Sequence, residues 1–331
     1  MRGNPQAGYS LPEMLIAMGI MLAISGAAVT ALLKMQSAQM SIWNRTQMHS
    51  GVRGATEVLQ QEVGQAGRIA LPMTAAGVPY VVTLGAGVLA GSNPVAIATT
   101  KPSGDKTEGM FLGQKLLIGY GASQETVTLS AAPTSTQITA TFAHPHNAGE
   151  PVLALGAFGT GIIPPAVSPS TYAPSGTTFT YTNGSTGSVL KLYGDINADG
   201  NMVYIEYTCD TATTHNLHRN MMAWNAGTKP ALSASNVLLG NVIANPNSTP
   251  CFTYQTAVVG GNVYVVDVAI TLTVQTQVID PVTKQFQTQT KALLNVSPRN
   301  TFNAWQMASL GMTAKRIQPI PPNIRDNLLP D

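Results

Sequence analysis

An unbroken apolar run close to the N-terminus constrains this chain more than any other feature of its sequence. The run extends from Leu11 to Leu33, twenty-three residues, and Glu13 is the only ionisable side chain within it. A helix of that length and composition can span a bilayer. A carboxylate inside such a segment costs at least about 2.5 kcal/mol, so Glu13 is expected to have a partner.

Two partners for the Glu13 carboxylate are compatible with each other. In the first, Ser10 is the N-cap of a helix, Pro12 lies in its first turn, and Glu13 accepts a hydrogen bond from the Ser10 amide, as in a capping box. In the second, cleavage after Gly8 creates a free α-amino group on Tyr9, and Glu13 is its counter-ion. A cap acts within one chain, whereas the ammonium group can belong to a neighbouring chain. The sequence therefore leaves both partners of Glu13 possible.

The residues around this glutamate carry a family resemblance. The stretch Gly8–Leu11, followed by Glu13 and the apolar helix, resembles the class III (prepilin) signal of type IV pilins and of type II secretion pseudopilins. The resemblance implies that residues 1–8 form a leader, that the prepilin peptidase cleaves after Gly8, and that Tyr9 becomes the methylated N-terminus. It also implies that Glu13 offsets the N-terminal charge of an adjacent subunit during filament assembly.

An ordinary secretory signal is the alternative interpretation of the same run. Its apolar core would be Met14–Ile24, and the small residues Ser25–Ala28 would provide the cleavage site. However, the run continues past that site to Leu33, and Glu13 lies where such a signal carries basic residues. The sequence therefore favours the pilin-type signal.

A second, amphipathic helix half is predicted beyond the apolar run, because apolar residues continue to recur at three- and four-residue steps. A continuous helix from Ser10 to Ala66 would be about 85 Å long, with Gly67 as its C-cap residue. Residues 9–33 would form the transmembrane or filament-core half, and residues 34–67 the half that supports a globular domain.

Two later stretches extend the resemblance. The helix end at Val52–Arg68 and the tetrapeptide Ser297–Asn300 are similar to the corresponding parts of PilW-type minor pilins. The resemblance implies an α+β fold in which a long N-terminal helix packs on an antiparallel β-sheet domain.

Short β-like runs separated by Gly, Pro and Ser clusters predict strands after the helix. We divide this part into a β-rich and loop-rich insertion at 68–187, with a long loop at 158–187, a pilin-type β-sheet domain at 188–300 and a C-terminal tail at 301–331. The last residues, Gln318–Asp331, contain four prolines and are expected to be extended. The predicted strands are Pro79–Leu84, Lys115–Ile118, Glu125–Leu129, Gln137–Phe142, Pro151–Leu155, Ser188–Tyr193, Met202–Cys209, Leu217–Met222, Val237–Ala244, Val263–Gln277 and Phe286–Val296, of which the last two would form a hairpin.

The low charge content suits an extracytoplasmic, assembly-prone protein, and poor solubility is an equally available interpretation. Charged residues make up only 10% of the chain and the net charge is +2, so nucleic acid is not indicated as a bulk electrostatic partner. In an oxidising compartment, Cys209 and Cys251 would pair in a single disulfide, and two separate buried thiols are the alternative. The disulfide would close a loop of about forty-three residues, which is worth roughly 4 kcal/mol on the chain-entropy model.

One stretch, residues 195–206, has the spacing of a calcium-binding loop, with oxygen side chains at its first, third and fifth positions, glycine at the sixth and glutamate at the twelfth. Its flanks have the pattern of strands rather than helices, so a hairpin turn around Asp-Gly is the alternative. Ca²⁺ is the one cofactor that the sequence indicates, and both interpretations stay open. The candidate ligands are Asp195, Asn197, Asp199, Asn201 and Glu206.

Other motifs give weaker signals. His215 and His218 lack the glutamate of a zinc protease, and His144-Pro145-His146 is interpreted as a turn with no cysteine or carboxylate nearby. The sequence contains no Gly-x-Ser-x-Gly elbow, no phosphate-binding glycine loop and no Cys-x-x-Cys pair. We therefore expect a protein that is not an enzyme.

By resemblance, the leading expectation is a minor pilin that primes or caps assembly of a type IV pilus, with tip adhesion or DNA uptake as a further role. Its partners would be other pilin subunits, met through the N-terminal helix, the prepilin peptidase and the inner membrane, which it would cross once before it enters the extracellular pilus. Two alternatives stay open. One is a type II secretion pseudopilin, and the other is a membrane-anchored periplasmic binding protein or hydrolase in which Glu13 is only a cap.

Overall fold

The computed structural model describes residues 9–71, 78–165, 184–312 and 316–329, without the side chains of residues 294 and 295. The predicted leader, with Gly8, and most of the loop predicted at 158–187 lie outside these ranges.

The chain forms two compact units. The first comprises Met1–Ser50 and Gln275–Gln289, and the second comprises Gly51–Val274 and Thr290–Asp331.

The first element is α1, which spans Leu11–Gln65. It begins after Ser10 and ends where Gly67 adopts a left-handed conformation with φ of +80°, so the predicted long helix and its C-cap glycine are confirmed. Glycine is required at that position because a Cβ on Gly67 would lie 2.8 Å from the carbonyl oxygen of Phe158.

Short strands make up most of the second unit. A second helix, α2, spans Arg299–Ser309, and short helical turns lie at Gly121–Ser123, Ala234–Asn236, Pro246–Ser248 and Ile324–Leu328. The strands of the described residues are β1 (Val82–Leu84), β2 (Gly91–Thr99), β3 (Lys115–Ile118), β4 (Glu125–Thr128), β5 (Gln137–Phe142), β6 (Val152–Ala154), β7 (Ala157–Phe158), β8 (Val189–Gly194), β9 (Val203–Asp210), β10 (Asn216–Ala223), β11 (Val237–Gly240), β12 (Val242–Ile243), β13 (Phe252–Val259), β14 (Asn262–Gln275), β15 (Thr288–Val296) and β16 (Ile317–Gln318).

Two three-stranded antiparallel sheets form the first part of the β-structure, in the orders β1-β2-β5 and β4-β3-β6. Their buried side chains share one apolar core, which includes Ile97, Leu116 and Phe142. The insertion predicted at 68–187 is therefore β-structured over its described residues. Its loop-rich character is not confirmed, because residues 166–183 lie outside the described ranges.

Two larger sheets follow. One has the antiparallel order β11-β10-β9-β8, and in the other β14 pairs with β12, β13 and β15. The pairing of β14 with β15 confirms the predicted hairpin between the last two long strands. A long apolar helix followed by antiparallel sheets also confirms the α+β class.

The first unit joins α1 to the loop between β14 and β15, residues 276–287, which we call the β14–β15 loop. The Ser41 hydroxyl on α1 donates to Asp280 Oδ2 at 2.7 Å. Arg45, one helical turn further along α1, donates to the side chain of Gln287. The loop is thus fixed to the helix at two successive levels.

The predicted extended tail is wrong for the described C-terminal residues. The strand β16 pairs in parallel with β7, and the buried amide of Gln318 accepts from the backbone N–H of Lys115 at 2.9 Å and donates to its carbonyl oxygen at 2.8 Å. Ile324 and Leu328 are then buried in an apolar core with Phe158. The apolar residues between the prolines bury the segment against the rest of the second unit.

Candidate functional site

The start of α1 has the capping geometry that the sequence predicts. The Ser10 backbone N–H and the Ser10 hydroxyl both donate to Glu13 Oε2, each at 2.9 Å. Glu13 Oε1 accepts no hydrogen bond from the described part of the chain. One carboxylate oxygen therefore stabilises the helix start, and the other is accessible to a donor from outside it.

The helix that follows presents an apolar surface with no cover from the described residues. Every residue from Tyr9 to Gln36 is exposed, and α1 is long and apolar enough to cross a membrane. Soluble proteins rarely leave a contiguous apolar surface of this size in water. This helix half is therefore consistent with a single membrane-spanning segment, and an N-terminal signal sequence would meet the same criteria of length and composition.

The second helix half, from Gly51 onward, is held to the β-structure by a buried charge cluster. Arg219 on β10 donates through Nε to both carboxylate oxygens of Glu62, at 3.0 and 3.2 Å. The Tyr207 hydroxyl on β9 donates to the same carboxylate. Burial and the nearby Glu62 charge raise the Tyr207 pKa, so the phenol stays protonated and remains a donor.

The motif at Ser297–Asn300 lies at the C-terminal end of α1. The Asn300 side-chain amide donates to the carbonyl oxygens of Gln65 and Ala66, at 3.1 and 3.3 Å. The Gln65 carbonyl also accepts from the backbone N–H of Arg68 at 3.2 Å, so Asn300 adds a second donor there and supplies a donor to the Ala66 carbonyl at the end of the helix. The end of α1 and the Ser297–Asn300 stretch are thus in direct contact. Beside them lies a cleft of about 580 Å³ whose lining includes Glu57, Gln60, Gln61 and Arg299.

The candidate calcium loop connects β8 to β9 as a hairpin, with Gly194 paired to Val203. Asp195 is buried, and its Oδ1 accepts from the backbone N–H of Asp199 and of Gly200, at 3.0 and 3.2 Å. Such bonds from a side chain to nearby backbone N–H groups stabilise a turn, as expected if residues 195–206 form a hairpin turn instead of a calcium loop. Burial raises the pKa of Asp195, and the nearby Arg68 guanidinium offsets part of this rise.

The other candidate calcium ligands do not gather around Asp195. Glu206, in the middle of β9, accepts from the Tyr204 hydroxyl at 3.0 Å and from Lys229 Nζ at 3.2 Å. Asn197, Asp199 and Asn201 are exposed, and no group of three His, Cys, Asp or Glu side chains within the described ranges could hold a metal ion. The described side chains therefore do not fit a twelve-residue calcium loop, and calcium stays a prediction that they do not support.

The predicted disulfide is present. Cys209 on β9 and Cys251, just before β13, are joined by an S–S bond of 2.05 Å, and both are buried. The bond connects the sheet that contains β9 to the sheet that contains β13.

A buried histidine between two carboxylates was not predicted. His146 Nδ1 lies 2.6 Å from Glu150 Oε2, and Nε2 lies 2.9 Å from Glu125 Oε1. The interpretation of His144-Pro145-His146 as a turn without a carboxylate nearby is therefore wrong. The fold supplies Glu125 from β4, twenty-one positions earlier.

The charges of this triad, Glu125, His146 and Glu150, are coupled. Burial lowers the pKa of His146, but the hydrogen bonds and charges of Glu150 and Glu125 outweigh burial and raise it above 6.5. Burial raises the pKa of Glu125, but the backbone N–H groups of Ala143 and His144, together with His146, outweigh it and hold that pKa below 4.5. The backbone N–H of Asn147 and the His146 side chain hold the pKa of Glu150 below 4.5 against a smaller effect of burial. In the protonated imidazole both ring nitrogens donate, one to each carboxylate, so the protonated triad is a buried ion cluster.

Comparisons with protein-family models, with curated proteins and with solved structures find no match for this chain.

Proposed function

We propose that the protein is a minor pilin that primes or caps the assembly of a type IV pilus and is not an enzyme. The proposal is supported chiefly by one arrangement: a capped apolar helix half, exposed from Tyr9 to Gln36, continues into a second half with Leu59 and Val63 buried in a β-rich unit. The resemblance of Gly8–Leu11 and Glu13 to the prepilin signal supports the same reading of the helix.

In the proposed mechanism, residues 9–33 hold the subunit in the inner membrane until the helix moves into a bundle of subunits. The apolar side chains then exchange lipid for the helices of neighbours, which costs little because both surroundings are apolar. Within that bundle the free oxygen of Glu13 accepts from the N-terminal ammonium of a neighbouring Tyr9. An ion pair in such surroundings is strong because little water screens it.

The N-terminal sequence and intact mass of the protein, isolated from native membranes, test the proposal. We expect a chain that begins at Tyr9 and carries one added methyl group. A chain that begins at Met1, or near Ala27 or Ala28, would overturn it. A type II secretion pseudopilin would have the same N-terminus. The protein should therefore also be sought in sheared surface pili, where a minor pilin is expected and a pseudopilin is not.

A further inference from the structure

We infer that the apex of the β14–β15 loop touches the headgroup layer of the same bilayer that α1 crosses, and so forms a second membrane contact. The inference depends on the membrane-spanning part of the proposed function. It concerns a surface in the first unit that neither the capping geometry nor the apolar run explains.

The direction of the loop follows from its two attachments to α1. Gln287, at the base of the loop, contacts Arg45, whereas Asp280, closer to the apex, contacts Ser41. From its base to its apex, the loop therefore runs toward the N-terminal, apolar half of the helix. The turn itself is tight, because Lys284 donates its backbone N–H to the Asp280 carbonyl oxygen at 2.8 Å.

The height of the apex above the membrane can be calculated from these contacts. Ser41 lies eight residues beyond Leu33, about 12 Å along the helix axis. Val282 lies two residues past Asp280 in the turn, a reach of at most about 7 Å. A turn directed toward the apolar half therefore brings the apex as close as about 5 Å, within a headgroup layer of roughly 5–8 Å on each side of the hydrocarbon core.

The chemistry of the loop suits that layer. Four large apolar side chains of the loop are at least 45% exposed: Val278, Ile279, Val282 and Phe286. Apolar side chains at the headgroup boundary gain free energy by leaving water.

Charge favours the same placement. In the two segments that follow the span in the first unit, residues 34–50 and 275–289, the cations Lys34, Arg45 and Lys284 outnumber the single anion, Asp280. Cations close to a bilayer surface are attracted to anionic lipid. Lys284 lies in the apex itself, next to the exposed apolar side chains.

A lipid surface explains the loop better than a second copy of the chain does. A stable protein interface needs about 800 Å² from each partner, and four side chains around one turn provide much less. Insertion into headgroups has no such minimum area, and the apolar span on the same helix already brings the bilayer within reach.

Site-directed spin labelling of the full chain in vesicles of phosphatidylcholine and phosphatidylglycerol tests the inference. Because Cys209 and Cys251 are bonded to each other, an introduced cysteine is the single free thiol. The label is placed at Val282→Cys, at Ile20→Cys inside the span, and at Val258→Cys as a matched control. Val258 is an exposed valine of β13, 65% exposed against 63% for Val282.

The readout is the accessibility of each label to oxygen, which partitions into lipid, relative to a water-soluble nickel complex. We expect the ratio at Val282 to be at least about twofold higher than at Val258 and lower than at Ile20, as at a headgroup boundary. A ratio at Val282 equal to that at Val258, with Ile20 in lipid, would overturn the loop contact and leave the span intact. A water-like ratio at Ile20 would overturn both. Spin–spin broadening at Val282 that disappears on dilution with unlabelled protein would identify a second copy as the occupant instead of lipid.

Discussion

Arg219 Nε lies 3.0 and 3.2 Å from the two carboxylate oxygens of Glu62, in an ion pair that joins strand β10 to the second half of α1. The two residues are 157 positions apart in sequence. The pair is nearly buried, with side chains 23% and 10% exposed. Glu62 also accepts from the Tyr207 hydroxyl, so removal of the carboxylate would leave two donors without their partner.

We expect Glu62→Ala to lower the free energy of unfolding by about 3–5 kcal/mol, because the guanidinium would remain in place without its counter-charge. Urea unfolding of the full chain in detergent micelles measures the change. Glu57→Ala is the matched control, since Glu57 pairs with Arg53 on the same helix with side chains 65% and 81% exposed. The control should cost less than about 1 kcal/mol, and equal losses for the two variants would contradict a buried anchor.

The triad of Glu125, His146 and Glu150 predicts how stability depends on pH. The pKa of folded His146 is raised above 6.5, so its contribution is complete below pH 6.5 and is lost as pH rises through the folded value. The two carboxyl groups have folded pKa values below 4.5, so their contribution is complete above pH 4.5 and is lost as pH falls through those values. The triad should stabilise the fold most between these limits.

His146→Gln should therefore lower the melting temperature most between pH 4.5 and 6.5, and it should flatten the decline of stability on the alkaline side. Thermal unfolding followed across pH checks both effects. His144→Gln, two residues away and exposed, should keep the wild-type profile. If the two variants have the same profile, the buried histidine is not the titrating group.

Close backbone contact between Gly161 and Gly67 predicts an intolerant position. A Cβ on Gly161 would lie 2.1 Å from Gly67 Cα, so Gly161→Ala must displace the end of α1 and should cost at least about 1–3 kcal/mol. Gly64→Ala is the control, because a Cβ there meets nothing within 4 Å and alanine favours a helix by about 1 kcal/mol. Urea unfolding of the two variants should give changes of opposite sign, and a loss at both positions would contradict the contact.

The disulfide between Cys209 and Cys251 should stabilise the second unit. Replacing both cysteines by serine should lower the free energy of unfolding by about 2–5 kcal/mol. A reducing agent should lower the stability of the wild type by a similar amount and leave the double variant unchanged. If the reducing agent destabilises the double variant as well, its effect does not act through this bond.

Features set by neighbouring residues could be predicted from the sequence, and those set by topology could not. The Ser10–Glu13 bonds span three positions, and the strands Lys115–Ile118 and Gln137–Phe142 follow a simple alternation of buried and less buried residues. For these, local pattern and tertiary structure agree. By contrast, the charge cluster at Glu62 depends on which strands pair beside the helix, and nothing within a few residues of Glu62 indicates Arg219.

Strands with poor local propensity were missed for the same reason. The strand β2, Gly91–Thr99, contains a proline at position 94, which argues against a central strand. Pro94 pairs with Thr139 of β5, whereas β1 pairs only with residues 97–99 of β2. The proline therefore has a neighbouring strand on one side only, where its missing N–H is tolerated. The C-terminal prolines also led to a wrong prediction, because burial of Ile324 and Leu328 in an apolar core and a helical turn over these residues hold that segment.

The functional proposal is tested most directly at Glu13. Because Glu13 Oε2 accepts both bonds from Ser10, Glu13→Gln keeps a side-chain oxygen for the cap but removes the charge that would meet a neighbouring N-terminal ammonium. We expect this variant to fold, to form its disulfide and to reach the membrane. Its amount in sheared pili should fall at least about tenfold, because the variant lacks the charge of a buried ion pair. Glu57→Gln, at an exposed position of the same helix, should enter pili at the wild-type level. Quantitative immunoblotting of membrane and pilus fractions gives both amounts. Normal entry of Glu13→Gln into pili would show that the glutamate is only a helix cap and would remove the charge step from the assembly mechanism.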